Sequence, residues 1–328
     1  MTTPDAAPAQ TTATPPSPPR GPLERFVRWT DTRRRTVLVA NLVAQIGIIV
    51  TGGLVRLTGS GLGCSTWPQC EPGSFTPVYH PEATFHSAIE FGNRTLTFVL
   101  CVVAGLTAVA VWRQRDRALS YRVLGLVPII GVVVQAVVGG ITVLVDLHPA
   151  VVGSHMFISL GLVAASTWLI VRHAEGDGPA RPVLPSPARV VAALTGVLAV
   201  PMLVLGVITT GAGPHSGDEE VGYRFALDPA HAAKLHGVSV WIYIASVVVL
   251  AALVVRASRG TADTERPRRA LILVGVVIAL QAVIGYAQYF TDLPIALVLL
   301  HMLGAALSTA AAANLVLSTR TRSDERDS

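Results

Sequence analysis

Residues 135–156 read QAVVGGITVLVDLHPAVVGSHM, and residues 281–302 read QAVIGYAQYFTDLPIALVLLHM. The two stretches align without a gap, 146 residues apart, with ten identities in 22 positions. Each holds an apolar run, a short polar break, and a second apolar run that carries a histidine. Gln135, Asp146 and His155 thus pair with Gln281, Asp292 and His301. The breaks, Asp146–Ala150 and Thr291–Pro294, are short enough to make tight hairpins between spanning helices. Self-similarity at a fixed period marks a duplicated unit. A weaker echo relates Thr58-Gly59-Ser60-Gly61 to Thr210-Gly211-Ala212-Gly213.

Working outward, a span needs about 20 apolar residues to cross the hydrocarbon core. Eight windows qualify: Val37–Leu57, Ile89–Trp112, Val123–Val145, Val151–Val171, Val190–Thr210, Leu235–Val255, Ala270–Phe290 and Ile295–Leu317. Pro201 falls inside the fifth, where a kink is tolerable if neighbouring helices satisfy the freed carbonyl. Composition agrees, because 14% charged residues is well short of the roughly one quarter that a soluble domain carries. The expected fold is an all-α integral membrane protein, with eight transmembrane helices as two pseudo-symmetric four-helix bundles. Four crossings return the chain to its starting side, so the repeat is parallel, unlike the inverted repeats of many transporters.

The expected organisation is a disordered tail over 1–36, a first half over 37–171, a linker over 172–189, a second half over 190–317 and a tail over 318–328. Residues 1–20 are rich in Pro, Ala and Thr and cannot bury a core. The first apolar run follows Arg33, Arg34 and Arg35 and is long enough to span, so it reads as an uncleaved helix and not a signal peptide. One side of the membrane collects 21 basic residues and the other four, namely Arg56, Arg94, Arg224 and Lys234. The positive-inside rule then puts both termini in the cytoplasm. The formal charge of +5 follows from this asymmetry. The partner it implies is the lipid bilayer, and no nucleic acid.

Ionisable groups within a span are costly and mark function. His155 and His301 sit about one turn inside the outer ends of spans four and eight, and His236 opens span six. Imidazole is a natural axial ligand of haem iron, and His236 with His301 supply a facing pair. Each could instead bond a neighbouring helix, but the duplication of His155 and His301 at one depth favours iron. Span two begins HSAIEFGNR, in which His86, Glu90 and Asn93 fall at i, i+4 and i+7 on one face. Glu90 reads as a proton carrier, a cation stabiliser or an iron-side ligand, or as a carboxylate neutralised by Arg94. Arg56, beside a glycine-rich turn, suits an anionic propionate or snorkels to the surface, and Arg94 is a second cofactor-binding candidate. Cys64 and Cys70, in CSTWPQC on the oxidising side, read as a disulfide. A metal would need more ligands, and only His80 is near. Cys101 reads as a small hydrophobe. His173, His80, His148 and His215 read as surface groups, and His231 as a neighbour that could support His236.

The run TGGLVRLTGSGLGCSTWPQC, then IEFGNR, SHMFISL, TGAGPHSGD, KLHG and LHML, resembles the haem A synthase family of bacterial cytochrome oxidase assembly, from span one to span eight. The resemblance implies an oxidoreductase that oxidises the C8 methyl of haem O to a formyl group. The reaction passes through a hydroxymethyl intermediate to a hydrated aldehyde that loses water. It implies a bound haem b on His236 and His301 in the second half. It implies a catalytic site for haem O as substrate in the first half, with His155 as an iron ligand and Glu90 as the essential acid. Cys64 and Cys70 match a loop cysteine pair. The implied partners are the haem O synthase that supplies the substrate and cytochrome oxidase assembly factors. The location is the bacterial plasma membrane, with a homo-oligomer left open.

One departure bears on the site. Many members of the family carry a histidine three residues after the glutamate, where this chain has Asn93. Either His86 takes that role, or the site uses a single histidine. The second half also lacks the loop cysteine pair of some relatives. Two rival readings use the same bundle: a di-haem b-type electron carrier, which needs two complete histidine pairs, and a transporter without a cofactor.

Overall fold

The computed structural model describes residues 21–78, 85–215, 217–218, 223–260 and 263–322. His80 and the tails over 1–20 and 323–328 lie outside the described residues. The helices in chain order are α1 (Pro22–Thr32), α2 (Arg34–Leu57), α3 (Phe85–Trp112), α4 (Leu119–Leu124), α5 (Val127–Leu144) and α6 (Pro149–Ala174), followed by α7 (Ser186–Ala212), α8 (Pro229–Ser258), α9 (Glu265–Phe290) and α10 (Ile295–Ser318). Among the described residues, eight stretches are long and apolar enough to cross a membrane, with α4 and α5 making one of them, Leu119–Leu144. The chain is an all-α integral membrane protein. Its outward faces present Val43, Val102, Val133, Val190, Val248 and Val283, which suits lipid because hydrocarbon leaves them no reason to turn inward.

Two expectations are corrected. The tail is not disordered up to residue 36, because Pro22–Thr32 is helical and runs through Arg33 into α2. Pro22 sits at the first helical positions, and Glu24 lies in the first turn beside the positive end of the helix dipole. Reading the tail as one polar block hid that helical segment. The third span is also broken, at Gly125 and Leu126. A proline at the start of α5, Pro128, lacks the N–H that would have continued α4. By contrast, α7 runs unbroken through Pro201.

The hairpins between α5 and α6 and between α9 and α10 are built alike. Asp146 and Leu147, with φ of 49° and 56°, and Asp292 and Leu293, both at 57°, take left-handed backbone. The Leu147 N–H bonds Thr142 O at 2.8 Å, and the Leu293 N–H bonds Gln288 O at 3.0 Å. Such backbone is uncommon without glycine, so its recurrence 146 residues later carries the duplication into three dimensions.

At the centre, α2 and α6 of the first half pack against α10, which also touches α7. Ile49, Leu160, Val163 and Ala306 form the buried cluster of this seam. There a Cβ on Gly53 would come within 2.8 Å of Met302, so glycine lets α2 and α10 close. Within the first half the buried Asn41 Nδ2 donates to Ser166 Oγ at 2.9 Å, tying α2 to α6. Cys101 packs against Leu100, Ala104 and Val132, as a small hydrophobe should.

At the end away from the hairpins, the linker and the C-terminal segment are stitched together. Strand β1 (Arg181–Pro182) pairs antiparallel with β2 (Arg320–Thr321). Asp177 accepts from Arg117 at 2.6 Å, from Arg172 at 2.9 Å and from the Ala118 N–H at 2.8 Å. Arg266 pairs with Glu175 at 2.9 Å. Burial alone would push the Asp177 carboxyl up, but the bonds from Arg117, Ala118 and Arg172 hold it below its ordinary value. A depressed carboxyl adds stability that is present above its unfolded pKa, about 3.9, and lost as pH falls through the folded value. The melting midpoint of the detergent-solubilised protein should therefore drop on acidification below about pH 4, and less steeply in Asp177→Asn. Equal slopes in the two proteins would contradict this account of the clamp.

Candidate functional site

A cavity of about 1270 Å³ runs between the two halves, lined on one side by Glu90, Asn93 and His155 and on the other by His236, Tyr243 and His301. That exceeds the roughly 300–1,000 Å³ of pockets for single small ligands. Most of the wall is apolar, and the histidines interrupt it at two places.

In the second half, α8 and α10 bring His236 and His301 together. Their ring centroids are 6.4 Å apart, with the planes at 90°. Imidazole nitrogens bind first-row metals at about 2 Å, so two such bonds and the two half-rings account for the spacing. His236 Nδ1 bonds Met202 O on α7 at 3.1 Å, which fixes the tautomer and leaves Nε2 for a metal. Gln281 Nε2 donates to His301 O at 3.1 Å. A Cβ on Gly206 would approach the His236 ring within 3.2 Å, and one on Gly285 the His301 ring within 3.3 Å. Each imidazole therefore lies in a cradle that only glycine leaves open.

The first half repeats half of this arrangement. Gln135 Nε2 donates to His155 O at 2.9 Å and also reaches Ser159 Oγ. Gly139 stands against the His155 ring, where a Cβ would be 3.2 Å away. The Nδ1 atoms of His155 and His301 are both buried with no hydrogen-bond partner among the described residues. Across from α6, α3 presents Asn93, whose Oδ1 accepts from Thr51 Oγ1 on α2 at 2.8 Å. Asn93 thus bonds back to the first span of its half, as His236 does in the other.

His86 does not reach this place. Its Nδ1 bonds Ser60 Oγ at 2.9 Å, and it is absent from the cavity lining. Facing the glycine-rich turn after α2, it stands too far toward the end of α3 to meet His155. Of the two alternatives for the position opposite His155, the structure thus does not bring His86 to the cavity wall.

Glu90 is buried at the cavity wall and fully engaged. Oε1 accepts from Arg94 Nη2 at 2.6 Å and Nε at 3.1 Å, and Oε2 accepts from the Cys64 N–H at 2.6 Å. Arg94 Nη1 reaches on to Thr66 O at 3.0 Å and Gln69 O at 3.1 Å. Cys64 and Cys70 are joined in a disulfide, with Cα atoms 4.4 Å apart. The Glu90–Arg94 pair therefore pins the disulfide loop onto α3. The loop in turn lays Trp67 against Gly140 of α5 and adds Trp67, Pro68 and Phe75 to the cavity wall. Arg94 is thereby spent on Glu90 and the loop.

Arg56 ties the two halves together instead of snorkelling. Nε donates to His215 O at 2.9 Å and Nη2 to Thr210 O at 3.0 Å, while the side chain still borders the cavity. His215 Nε2 lies 3.2 Å from Leu293 O, and His148 lies beside Tyr223. His173 bonds Tyr121 Oη at 3.1 Å. His231 is exposed and sits 3.5 Å from Asp228, so it does not support His236.

Among the described residues, no group of three or more His, Cys, Asp or Glu side chains could hold a free metal ion. A haem needs fewer protein ligands, since the porphyrin supplies the equatorial nitrogens and only axial groups come from the chain. The facing rings, the glycine cradles and the large apolar cavity fit haem.

Sequence reasoning missed the ring-facing glycines, although Gly139 and Gly285 are identities within the repeat. It also missed Thr51 and Trp67, which carried no signal short of the packing. Breaking a buried pair by removing one partner costs about 3–5 kcal/mol. Arg94→Met should therefore lower the melting midpoint markedly, and Arg94→Met with Glu90→Gln should recover part of the loss. If the double variant is no more stable than the single one, the uncompensated charge is not the cause.

Residues 35–313 match the family described as cytochrome oxidase assembly protein, COX15-CtaA. A Heme A synthase of Lysinibacillus sphaericus is 32% identical over 142 residues, which are 43% of this chain and 43% of that relative. A Heme A synthase of Bacillus licheniformis is 26% identical over 140 residues, 42% of this chain and 45% of the relative. For a Heme A synthase of Bacillus mycoides the values are 27% over 139 residues, 42% and 41%. The alignments thus span less than half the length of these curated relatives, whereas the family match runs from the start of α2 well into α10. On that match, the chain belongs to the COX15-CtaA family of cytochrome oxidase assembly proteins.

Proposed function

We propose that the chain is a haem A synthase of a bacterial plasma membrane, an oxidoreductase that converts the C8 methyl of haem O to a formyl group. The observation that carries this reading is the inequality of the two halves around one cavity. His236 faces His301 across 6.4 Å, whereas His155 faces a side bearing Asn93 bonded to Thr51. A complete pair suits a resident haem b, which when bound supplies one-electron storage. An incomplete pair suits a haem that is a substrate and must arrive and leave. The di-haem carrier needs a second complete pair, and His86, bonded to Ser60, does not provide it.

The contacts support the following roles. His236 and His301 hold the haem b, with Met202 O orienting His236 and Gly206 and Gly285 leaving room for the rings. His155 binds the iron of haem O on one side, seated by Gln135 and Gly139. Asn93 leaves the opposite side without an imidazole. Glu90, at the wall of the same cavity, holds or moves a proton at its carboxylate while Arg94 and the Cys64 N–H fix its oxygens. Arg56 offers its cavity-facing edge to a propionate. The arginine asymmetry of 21 to four supports cytoplasmic termini and haem sites near the outer face. A haem O synthase and oxidase assembly factors would be the partners before and after this step.

The test is co-expression with a haem O source, followed by extraction and chromatography of the haems. His155→Ala should abolish haem A while most of the reduced-minus-oxidised b-type signal persists, and His301→Ala should remove that signal. Glu90→Gln should slow haem A formation by roughly 10²–10⁴-fold, the usual worth of a positioned acid or base. Loss of the b-type signal from His155→Ala, with His301→Ala harmless, would overturn the assignment of halves. A separate prediction concerns Asn93→His, which should add a second bis-imidazole, low-spin signal by electron paramagnetic resonance once haem O is bound. An unchanged spectrum would mean that residue 93 does not stand opposite His155.

A further inference from the structure

At the end of α3 remote from the cavity histidines lies a second pocket, of about 670 Å³, lined by Trp112, Arg113, Arg115 and Arg122. Three of its four lining side chains are cations. Arg122 is held rigidly: Nε donates to Trp112 O at 3.1 Å, and its guanidinium carbon stands 4.5 Å from the centroid of the Trp112 ring. Stacking and the backbone bond leave its terminal nitrogens to serve another acceptor. The loop beneath is pinned as well. The buried Gln114 bonds Tyr121 Oη at 3.1 Å and Ala110 O at 3.4 Å, and Arg117 is locked to Asp177.

Neighbouring arginines sharpen the contrast. Arg34 pairs with Asp31 at 2.8 Å and Arg117 with Asp177 at 2.6 Å. Among the described residues, Arg113, Arg115 and Arg122 pair with no carboxylate. Asp116, exposed in the same turn, neither lines the pocket nor pairs with any of them. Three cations thus converge on one space without a protein anion.

The surroundings define what fits. Trp112 ends α3, and Val109, Leu119 and Val123, near it along the chain, are exposed apolar side chains. An exposed tryptophan at a span terminus marks the level of lipid headgroups. Basic pockets at such a level bind phosphate-bearing headgroups, with the acyl chains lying along the apolar helix faces. A free phosphate would use the arginines but leave the apolar flank without a role.

We propose that Arg113, Arg115 and Arg122, with Trp112, form a binding site for the phosphate headgroup of an anionic phospholipid. This site is independent of the haem assignments. The test uses the full-length protein in a neutral detergent, titrated with phosphatidylglycerol, phosphatidylcholine or inorganic phosphate, with occupancy read by native mass spectrometry. Phosphatidylglycerol should bind most tightly, and more weakly as salt is raised. Neutralising all three arginines to Gln should weaken it by roughly a hundredfold, at about fivefold per arginine. The Arg113→Gln, Arg115→Gln double variant leaves the Arg122–Trp112 stack intact and should lose about 25-fold. An unchanged melting midpoint would certify the fold of either variant. Equal binding of the anionic and zwitterionic lipids would overturn the proposal, as would undiminished phosphatidylglycerol binding in a folded variant. Inorganic phosphate that binds as tightly as the lipid would overturn it too, by making this a small-anion site.

Discussion

Inside hydrocarbon, a polar group left without a partner costs several kcal/mol, and the interior of this protein is arranged around that constraint. Asn41 is answered by Ser166, Gln135 and Gln281 by the backbone of the histidine-bearing helices, and Glu90 by Arg94 and the Cys64 N–H. Among the described residues the buried Nδ1 atoms of His155 and His301 have no partner, and neither have Gln135 Oε1 and Gln281 Oε1 beside them. Both rings border the one large cavity, and each lies against a glycine that keeps the space beside it clear.

The same constraint explains why the disulfide loop belongs to the site. A carboxylate as buried as Glu90 needs a cation and a backbone donor, and this chain takes the donor from Cys64 and the cation from Arg94. Arg94 spends its remaining nitrogen on carbonyls of the loop between the two cysteines. Loop, acid and cavity wall are therefore one unit, and Trp67 closes it by resting on the glycine next to Gly139. A charge that looked in sequence like a propionate partner is instead a bracket for the acid.

Much of the fold was readable because lipid imposes a length and a composition on each span, and because duplication leaves the same residues at the same depth. The eight windows and the two hairpins emerged that way, and the disulfide from two cysteines six residues apart in one polar connection. That His236 and His301 face each other was also readable from their common depth. Less readable were α1, whose amphipathic turns were masked by the polar tail before them, and the break before Val127, where one proline outweighs a continuous apolar run. His86 misled for a related reason. Residues at i, i+4 and i+7 share a helix face, but depth along that face decides which of them reaches a partner, and His86 lies a turn and more beyond Glu90, against Ser60.

The sequence by itself determined the solvent, the apolar spans and the repeated hairpin, because each depends on composition and spacing along one chain. Only the tertiary structure decided which groups face one another: that Asn93 bonds Thr51, that Arg56 bridges the halves, that Arg94 holds Glu90 and the loop, and that three arginines share an unanswered pocket. Those facts depend on how helices distant in sequence approach and rotate. That approach is set by small residues such as Gly53 at the seam and Gly139 and Gly285 beside the rings, where the packing, and not the local pattern, decides what a missing Cβ allows.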